Sequence, residues 1–460
     1  MSVRIVQFGE GVFLRGFFDW MVERLQREAG TDIKVTLVQP RNSQGVTKLM
    51  EQGGQFTVVQ SGLEAGVARS EQLLVQCIDQ GINTHSDPEA FERLAADPDV
   101  RVVVSNTTEA GIAWSESDAE LHVDRSLVRS FPGKLTWFLA ERFERLPESD
   151  SIYILPCELI AENGRLLNSF VRRMAQAWGL GDDFQNWLDT HVVFFDTLVD
   201  RIVPGRPSEQ IEFPQGGLDQ FAVQVEWFHS WYLQGPRDLL DVLPLNSIAL
   251  NVHFVDDLEP YRDLKVRVLN GTHSTMASIG VALGLESVAE AMGHTQFGPW
   301  LEKLVEDEVL PTLEVPAEEA SNFVAATWDR FRNPYIEHRL RSILLNASAK
   351  IPSRLGDTVQ ERAEQGSSCP RIAAGVAAWL WLTRDQDLDD DREVLKRLKT
   401  LWASGDPAVV AKHALQDAGI LGAVEWPDAF VAEVLVCLEK IDACGPEALL
   451  CEHVSSTRNA

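Results

Sequence analysis

The chain has 460 residues, 45% of them apolar and 24% charged, the balance of a soluble globular protein too long for one ordinary core and so expected to form two domains. Its 41 Lys and Arg stand against 69 Asp and Glu, a net charge of −28; such a surface repels nucleic acid and anionic membrane, and a site for a small acid must gather its few cations locally. No apolar run reaches membrane-spanning length, and the six cysteines (77, 157, 369, 437, 444 and 451) form no CxxC and no Cys/His group of zinc spacing, so a metal-free protein with reduced thiols is expected.

The N-terminus enters a β-rich run, Val3 to Phe8, with no leader pattern before it, which sets the cytoplasm as the expected compartment. Gly9-Glu-Gly11 follows, then an amphipathic helical pattern from Val12 to Leu25. Strand, GxG, helix is the opening of a dinucleotide-binding unit: the glycines let the backbone approach a pyrophosphate at the helix N-terminus. The third glycine slot of that fingerprint holds Leu14.

A second strand, Ile33 to Val38, ends in Gln39-Pro-Arg41, where an acid for the adenosine ribose is usual. Gln39 can hydrogen-bond a ribose hydroxyl and Arg41 can meet a 2′-phosphate, so this stretch leaves NAD and NADP both open. A β-rich stretch from Phe56 to Leu74 and a helix from Pro88 to Ala96 come next. The apolar strand from Val102 then runs into Ser-Asn106-Thr107-Thr-Glu-Ala-Gly111. Asn106 and Thr107 either touch a nicotinamide ribose or make an Asx/ST turn without a ligand.

Lys134 to Phe143 reads as a helix, Ile152 to Cys157 as a buried strand, and the loop Glu158 to Gly164 opens a helix from Arg165 to Trp178. Val192 to Phe195, Asp200 to Pro204, Val223 to Tyr232 and Val252 to Val255 continue the β pattern. Residues 1–255 thus read as an extended α/β domain, and 256–460 as a helical one. Its expected helices cover 265–285, 297–309, 319–331, 335–345, 371–383, 392–403, 407–418 and 428–441. The tail from Ser455 is expected to lack order.

Near the middle, Lys265, Asn270 and His273 stand at offsets 0, +5 and +8. On an α-helix these fall at roughly 0°, 140° and 80°. They either point into one cleft, or Lys265 and Arg267 form a solvated face beside a kink at Asn270-Gly271. In the first case lysine is a general base once desolvated, asparagine a donor to an alkoxide, and histidine an orienter of a hydroxyl. The usual lysine pKa of about 10.4 must fall for that work, through burial with Arg262 and Arg267 nearby.

Six runs in order carry a resemblance: Gln7 to Arg15, Ser105 to Ile112, Leu155 to Ile160 with Asn163-Gly164, Thr197 to Ile202, Lys265-x4-Asn270-x2-His273, and Phe331 to Ile336 with His338 and Lys350. Together they resemble the polyol-specific long-chain dehydrogenases, the mannitol dehydrogenase family, nearest to the branch that handles tagaturonate and altronate. The resemblance implies an α/β Rossmann-type N-terminal domain, a mostly helical C-terminal domain, and NAD as cofactor, with Gly9, Gly11, Phe13, Gln39, Asn106 and Thr107 on the nucleotide side. It implies Lys265 as the catalytic lysine, Asn270 as an oxyanion donor and His273 as the substrate-orienting histidine. Polyol-type members carry Cys-Asp-Asn where this chain has Cys157-Glu-Leu, which leaves Asn163 as the candidate second donor.

They also tend to carry Asp at His338. With Arg332 close by and Lys350 in reserve, that exchange suits a carboxylated sugar. The implied activity is interconversion of D-tagaturonate and D-altronate with NADH. Fructuronate/mannonate and mannitol/fructose oxidoreduction are the alternatives within the family, and a nucleotide-binding regulator without catalysis is the alternative outside it. The implied partner is a small sugar acid, with the oligomeric state left between monomer and small homo-oligomer.

Overall fold

The computed structural model describes residues 2–39, 44–107, 111–121 and 125–451. The chain divides into two compact units, Met1–Gly62 with Ala68–Leu258, and Glu259–Ala460 with Leu63–Val67. The expected division fell three residues earlier, and it left the short segment Leu63–Val67, the tip of a hairpin, with the first unit. There the Gly66 N–H donates to Asp329 Oδ1 (3.2 Å).

The first unit is built on six strands: β1 (Val3–Phe8), β2 (Ile33–Gln39), β3 (Ile78–Asn83), β4 (Val100–Ser105), β5 (Ile152–Pro156) and β6 (Val192–Phe194). They form one sheet in the order β3-β2-β1-β4-β5-β6, every pairing parallel. Val- and Ile-rich runs suit this position, since a parallel sheet is covered on both faces and has no polar side to show. Two cores result. One packs Phe17, Met21 and Leu25 with Val35, Leu37 and Trp231; the other packs Phe91, Leu135 and Phe138 with Val6, Val103 and Ile154. The strand order reverses between β1 and β4, the crevice where open α/β sheets bind ligands beyond the strands' C-terminal ends.

Two three-stranded sheets complete the unit, Val223–Glu226 with Phe56–Glu64 and Val67–Val75, and Val252–Phe254 with Ser230–Gln234 and Asp196–Asp200. The run Val223 to Tyr232, expected as one strand, is therefore two strands in different sheets. The chain leaves one and joins the other through Trp227-Phe228-His229.

The second unit is helical. The helices used below are α1 (Thr272–Ala282), α2 (Ala317–Phe331), α3 (Leu340–Leu344), α4 (Ala347–Glu364) and α5 (Pro370–Asp385). Two departures from the sequence reading matter. Tyr335 to Arg339 is not helical, so only α3 remains of the helix expected over 335–345. The whole of α4 was missed, because Pro352 lies inside it and breaks the helical signal. Among the described residues no helix is long and apolar enough to cross a membrane.

Candidate active site

In the first unit, Gly9 has φ 111°, a backbone conformation that side chains rarely adopt, and a Cβ there would lie 3.6 Å from the Asn106 carbonyl oxygen. The turn after β1 and the loop after β4 therefore meet at the switch point. Gly11 precedes the first helical turn, no side chain caps that N-terminus, and the space where its Cβ would stand is open. Unsatisfied N–H groups beside open space fit the pyrophosphate of a dinucleotide. Phe13 stacks on Phe17 at 5.0 Å between centroids. Leu14 is not the residue that permits close packing. Gly16 is, since a Cβ there would come within 2.6 Å of Val225 Cγ1. It lies on a π-helical turn, Arg15–Asp19, whose wider coil carries that role two residues past the usual slot.

The turn is held from beneath. Gln7 Nε2 donates to the Gly9 carbonyl (3.1 Å) and to Asp19 Oδ2 (3.2 Å). Asp19 is fully buried, and burial pushes its carboxyl up to about 7 against the opposing pull of that bond and of Arg15. Gln39 is fully buried at the end of β2. Arg41 lies outside the described residues, as do Thr108 to Ala110 of the loop after β4 and the tail from Ser455.

Glu158 explains the departure after Cys157. Its buried carboxylate accepts from Ser105 Oγ (3.1 Å), Thr107 N (2.8 Å) and Thr107 Oγ1 (3.0 Å). Asn106 Nδ2 donates to the Cys157 carbonyl (2.6 Å). The loops after β4 and β5 are thus fastened together, and the side chains of Asn106 and Thr107 do much of the fastening. Burial raises the Glu158 pKa, and the Thr107 and Ser105 hydrogen bonds oppose that shift.

Asn163 requires a correction. It was expected to donate to substrate, but its amide is 1% exposed and wholly engaged. Nδ2 donates to the carbonyls of Pro156 (3.1 Å), Glu158 (3.0 Å) and Thr197 (3.2 Å), while Oδ1 accepts from Gly164 N and Thr197 N, both at 2.9 Å. An amide has two N–H groups, and both are taken. Asn163 ties the end of β5 to the helix it opens.

In the second unit, Lys265 and Asn270 lie on a π-helix, Leu264–Gly271, that runs without a break into α1. In a π-helix the hydrogen bond joins residues five apart. Asn270 therefore stands one turn along from Lys265, not roughly 140° round from it as an α-helix would place it. His273 follows three residues on, in α1, on the Asn270 face. Lys265 and Asn270 are half-buried, and His273 is 6% exposed.

The His273 ring stacks on Phe331 at 4.2 Å and meets the His338 ring edge-on at 4.8 Å. Its Nε2 is buried with no hydrogen-bond partner among the described residues. Burial above all, then His338, Arg330 and Arg354, pushes its pKa well below the usual 6.5, so the ring is neutral at working pH. A neutral, buried ring nitrogen with no partner is able to hydrogen-bond a hydroxyl.

Arg267 is neither on a solvated face nor free to repel a proton from Lys265. It is buried, donates to the Thr312 carbonyl (2.9 Å), and pairs with Asp263 (2.9 Å) and Glu361 (2.7 Å). Two carboxylates cancel its charge.

Arg332 also requires a correction. It is 44% exposed and paired with Glu302, the surface ion pair that contributes little. Two other arginines act on the His273 charge: Arg330, buried on α2, and Arg354 on α4. The sequence reading missed both. Arg330 lay in view, since Thr327, Arg330 and Phe331 share the buried face of α2. Arg354 was hidden with its helix. Lys350 lies one turn before Arg354 on α4; its Nζ donates to the Ile343 carbonyl (3.2 Å), and burial followed by Arg354 lowers its pKa. Among the described residues no three His, Cys, Asp or Glu side chains gather as a metal site would need.

Two family models match the chain: the mannitol dehydrogenase Rossmann domain over residues 3–247 and the mannitol dehydrogenase C-terminal domain over residues 257–439. Altronate oxidoreductase of Bacillus subtilis (strain 168) is 37% identical over 429 residues, 91% of this chain and 88% of that one. The altronate oxidoreductase of Yersinia enterocolitica is 38% identical over 412 residues, covering 87% and 85%. Among solved structures, mannitol 2-dehydrogenase of Pseudomonas fluorescens in ternary complex with NAD and D-mannitol superposes with a TM-score of 0.70 at 21% identity, covering 98% of this chain and 94% of that one. A substrate-free D-sorbitol dehydrogenase gives 0.82 at 20% identity, covering 98% and 95%. These last two establish the fold. The sequence matches, spanning both units, establish more: the chain belongs to the mannitol dehydrogenase family.

Proposed function

We propose that the protein is an altronate oxidoreductase, interconverting D-tagaturonate and D-altronate in the cytoplasm with NAD as the nicotinamide cofactor and no metal. The observation that carries the chemistry is the π-helical turn Leu264–Gly271, which sets Lys265 and Asn270 on one side of the helix with His273 beside them. The identity to altronate oxidoreductases over about nine tenths of the chain supports the choice of substrate.

The turn after β1 holds the pyrophosphate and the fastened loop Asn106–Thr107 stands at the nicotinamide ribose, while the fully buried Gln39 supports the end of β2 and does not reach the other ribose. When bound, the nicotinamide supplies or takes up the hydride. Lys265 handles the proton: as an ammonium it protonates the oxygen of the carbonyl being reduced, and as a neutral amine it removes the hydroxyl proton in oxidation. Asn270 donates an N–H to that oxygen, which carries most of its charge midway through the transfer. His273 Nε2 takes a neighbouring substrate hydroxyl and fixes the reacting carbon relative to Lys265. Because reduction needs protonated lysine and oxidation needs neutral lysine, the reduction rate falls with rising pH while oxidation rises through the same region.

The test is a substrate and cofactor panel. Purified protein is assayed with NADH and NADPH against D-tagaturonate, D-fructuronate and D-fructose. The highest kcat/KM is expected for tagaturonate with NADH. A preference for fructuronate or fructose moves the enzyme to another branch, a preference for NADPH assigns Arg41 to a 2′-phosphate, and absence of turnover on all three leaves a nucleotide-binding regulator.

A further inference from the structure

Several buried or half-buried arginines among the described residues have fixed partners for their charge or donors. Arg267 has two carboxylates, Arg371 has Asp307 and Glu308, and Arg142 donates from both Nη atoms to the carbonyls of Ala95, Asp97 and Val100. Arg354 differs. Only its Nη1 is used, by Ser274 Oγ (3.1 Å) and the Asn270 carbonyl (3.4 Å). Nε and Nη2 make no hydrogen bond among the described residues, and no carboxylate pairs with the group. Burial alone acts on its pKa, lowering it with no acid in opposition. A half-buried guanidinium with no anion beside it keeps an open edge that an anionic ligand can complete.

Its neighbours sharpen the point. Lys350 stands four residues earlier on α4, close enough that Arg354 adds to the burial that lowers its pKa. Arg330 and Arg354 both act on His273. In a chain of net charge −28, this is a local concentration of cations against the global field, as an anion site requires. The placement is also apt. Arg354 touches the backbone of Asn270, and a Cβ on Gly271 would lie 3.2 Å from the Arg354 carbonyl oxygen, so α4 is packed directly on the π-helical turn. In a hexuronate the carboxylate lies at the far end of a six-carbon chain from the ketone end, so its seat must be about one sugar length from the group that handles the reacting oxygen.

We propose that Arg354 is the carboxylate-binding residue of this site, presenting its Nε–Nη2 edge in a two-pronged grip to a sugar acid, with Lys350 beside it as a second, undirected cation. This rests on the uronate reading given above and deepens it: the specificity for an acid over a neutral sugar is assigned to α4, not to Arg332.

D-tagaturonate and D-tagatose differ only in a carboxylate against a hydroxymethyl at C6, so the pair isolates that contact. Both are assayed with NADH for the wild type, Arg354→Gln and Arg354→Lys, with NADH binding and thermal unfolding measured as checks on the fold. Arg354→Gln is expected to raise KM for tagaturonate roughly 10- to 100-fold, the size of a lost charged hydrogen-bond pair, with a much smaller change in kcat. The loss on D-tagatose should stay within about threefold, and Arg354→Lys should fall between, since lysine keeps the charge and loses the fork. Should the glutamine variant fail to fold, the lysine variant must still show the split between the two substrates. Equal losses on both sugars, or an unchanged tagaturonate KM in a wild type that turns tagaturonate over, overturn the assignment of Arg354 while the uronate reading stands. A wild type that reduces neutral ketoses and no uronate overturns both.

Discussion

Arg332 and Asn163 illustrate how little a residue's type says about its work until its partners are known. Arg332 was attractive as a cation beside Asn333-Pro334, yet its partner is Glu302 on the surface. Arg332→Ala is accordingly expected to leave KM for a uronate within about twofold and to change stability by no more than ~0.5 kcal/mol, read by denaturant unfolding. Asn163 carries six hydrogen bonds among the end of β5, Glu158, the helix it opens and Thr197. Asn163→Ala should cost about 2–4 kcal/mol in the same experiment, because buried carbonyls and N–H groups lose their partners. A fully stable Asn163→Ala protein with turnover alone impaired would return that amide to the catalytic group.

At the scale of elements, irregular helices position both candidate sites. The π-turn at Leu264–Gly271 aligns Lys265 with Asn270, and the π-turn at Arg15–Asp19 moves the close-packing glycine to Gly16 and buries Asp19 under the nucleotide turn. Asp19 gives that second element a pH signature. Its carboxyl titrates near 7 in the folded protein against about 3.8 unfolded, so between those values the folded state holds a proton that the unfolded state has released. Its contribution to stability is complete below pH 3.8 and declines as pH rises, by about 1.4 kcal/mol per pH unit at most, until it levels off above pH 7. Asp19→Asn removes that slope. The difference in Tm between variant and wild type should therefore shift in the variant's favour from pH 4 to pH 7 and stay constant above it. A difference independent of pH would mean that Asp19 is ionised in the fold.

Across the whole molecule the two sets of groups fall in different compact units: Gly9, Gly11 and Asn106 in the first, Lys265, Asn270 and His273 in the second. Lys265→Ala is expected to lose roughly 10²- to 10⁴-fold in kcat, the contribution of a positioned acid–base group, while NADH affinity measured by fluorescence titration stays within about twofold. Small primary amines should restore part of the rate. Near-full turnover, or loss of NADH binding along with turnover, would mark Lys265 as a structural cation.

Much of this was legible in the sequence, for identifiable reasons. β1, β2, β4 and β5 announce themselves because a parallel strand covered on both faces must be a near-continuous apolar run, and the glycine turn because other residues rarely adopt the backbone of residue 9. Lys265, Asn270 and His273 were nominated together by spacing and resemblance, both of which are properties of one local stretch. What spacing could not supply was the pitch of the helix they stand on, since a π-turn is stabilised by what packs against it and leaves little trace in periodicity. Nor could it supply the partners of charged side chains: Arg332 and Arg354 are the same letter, and only the fold sets one against Glu302 in water and leaves the other half-buried without an acid. Helix α4 shows the limit most plainly. Pro352 erased its signal, tertiary packing on the π-turn formed it nonetheless, and with it came the cation that the composition of so acidic a chain had required.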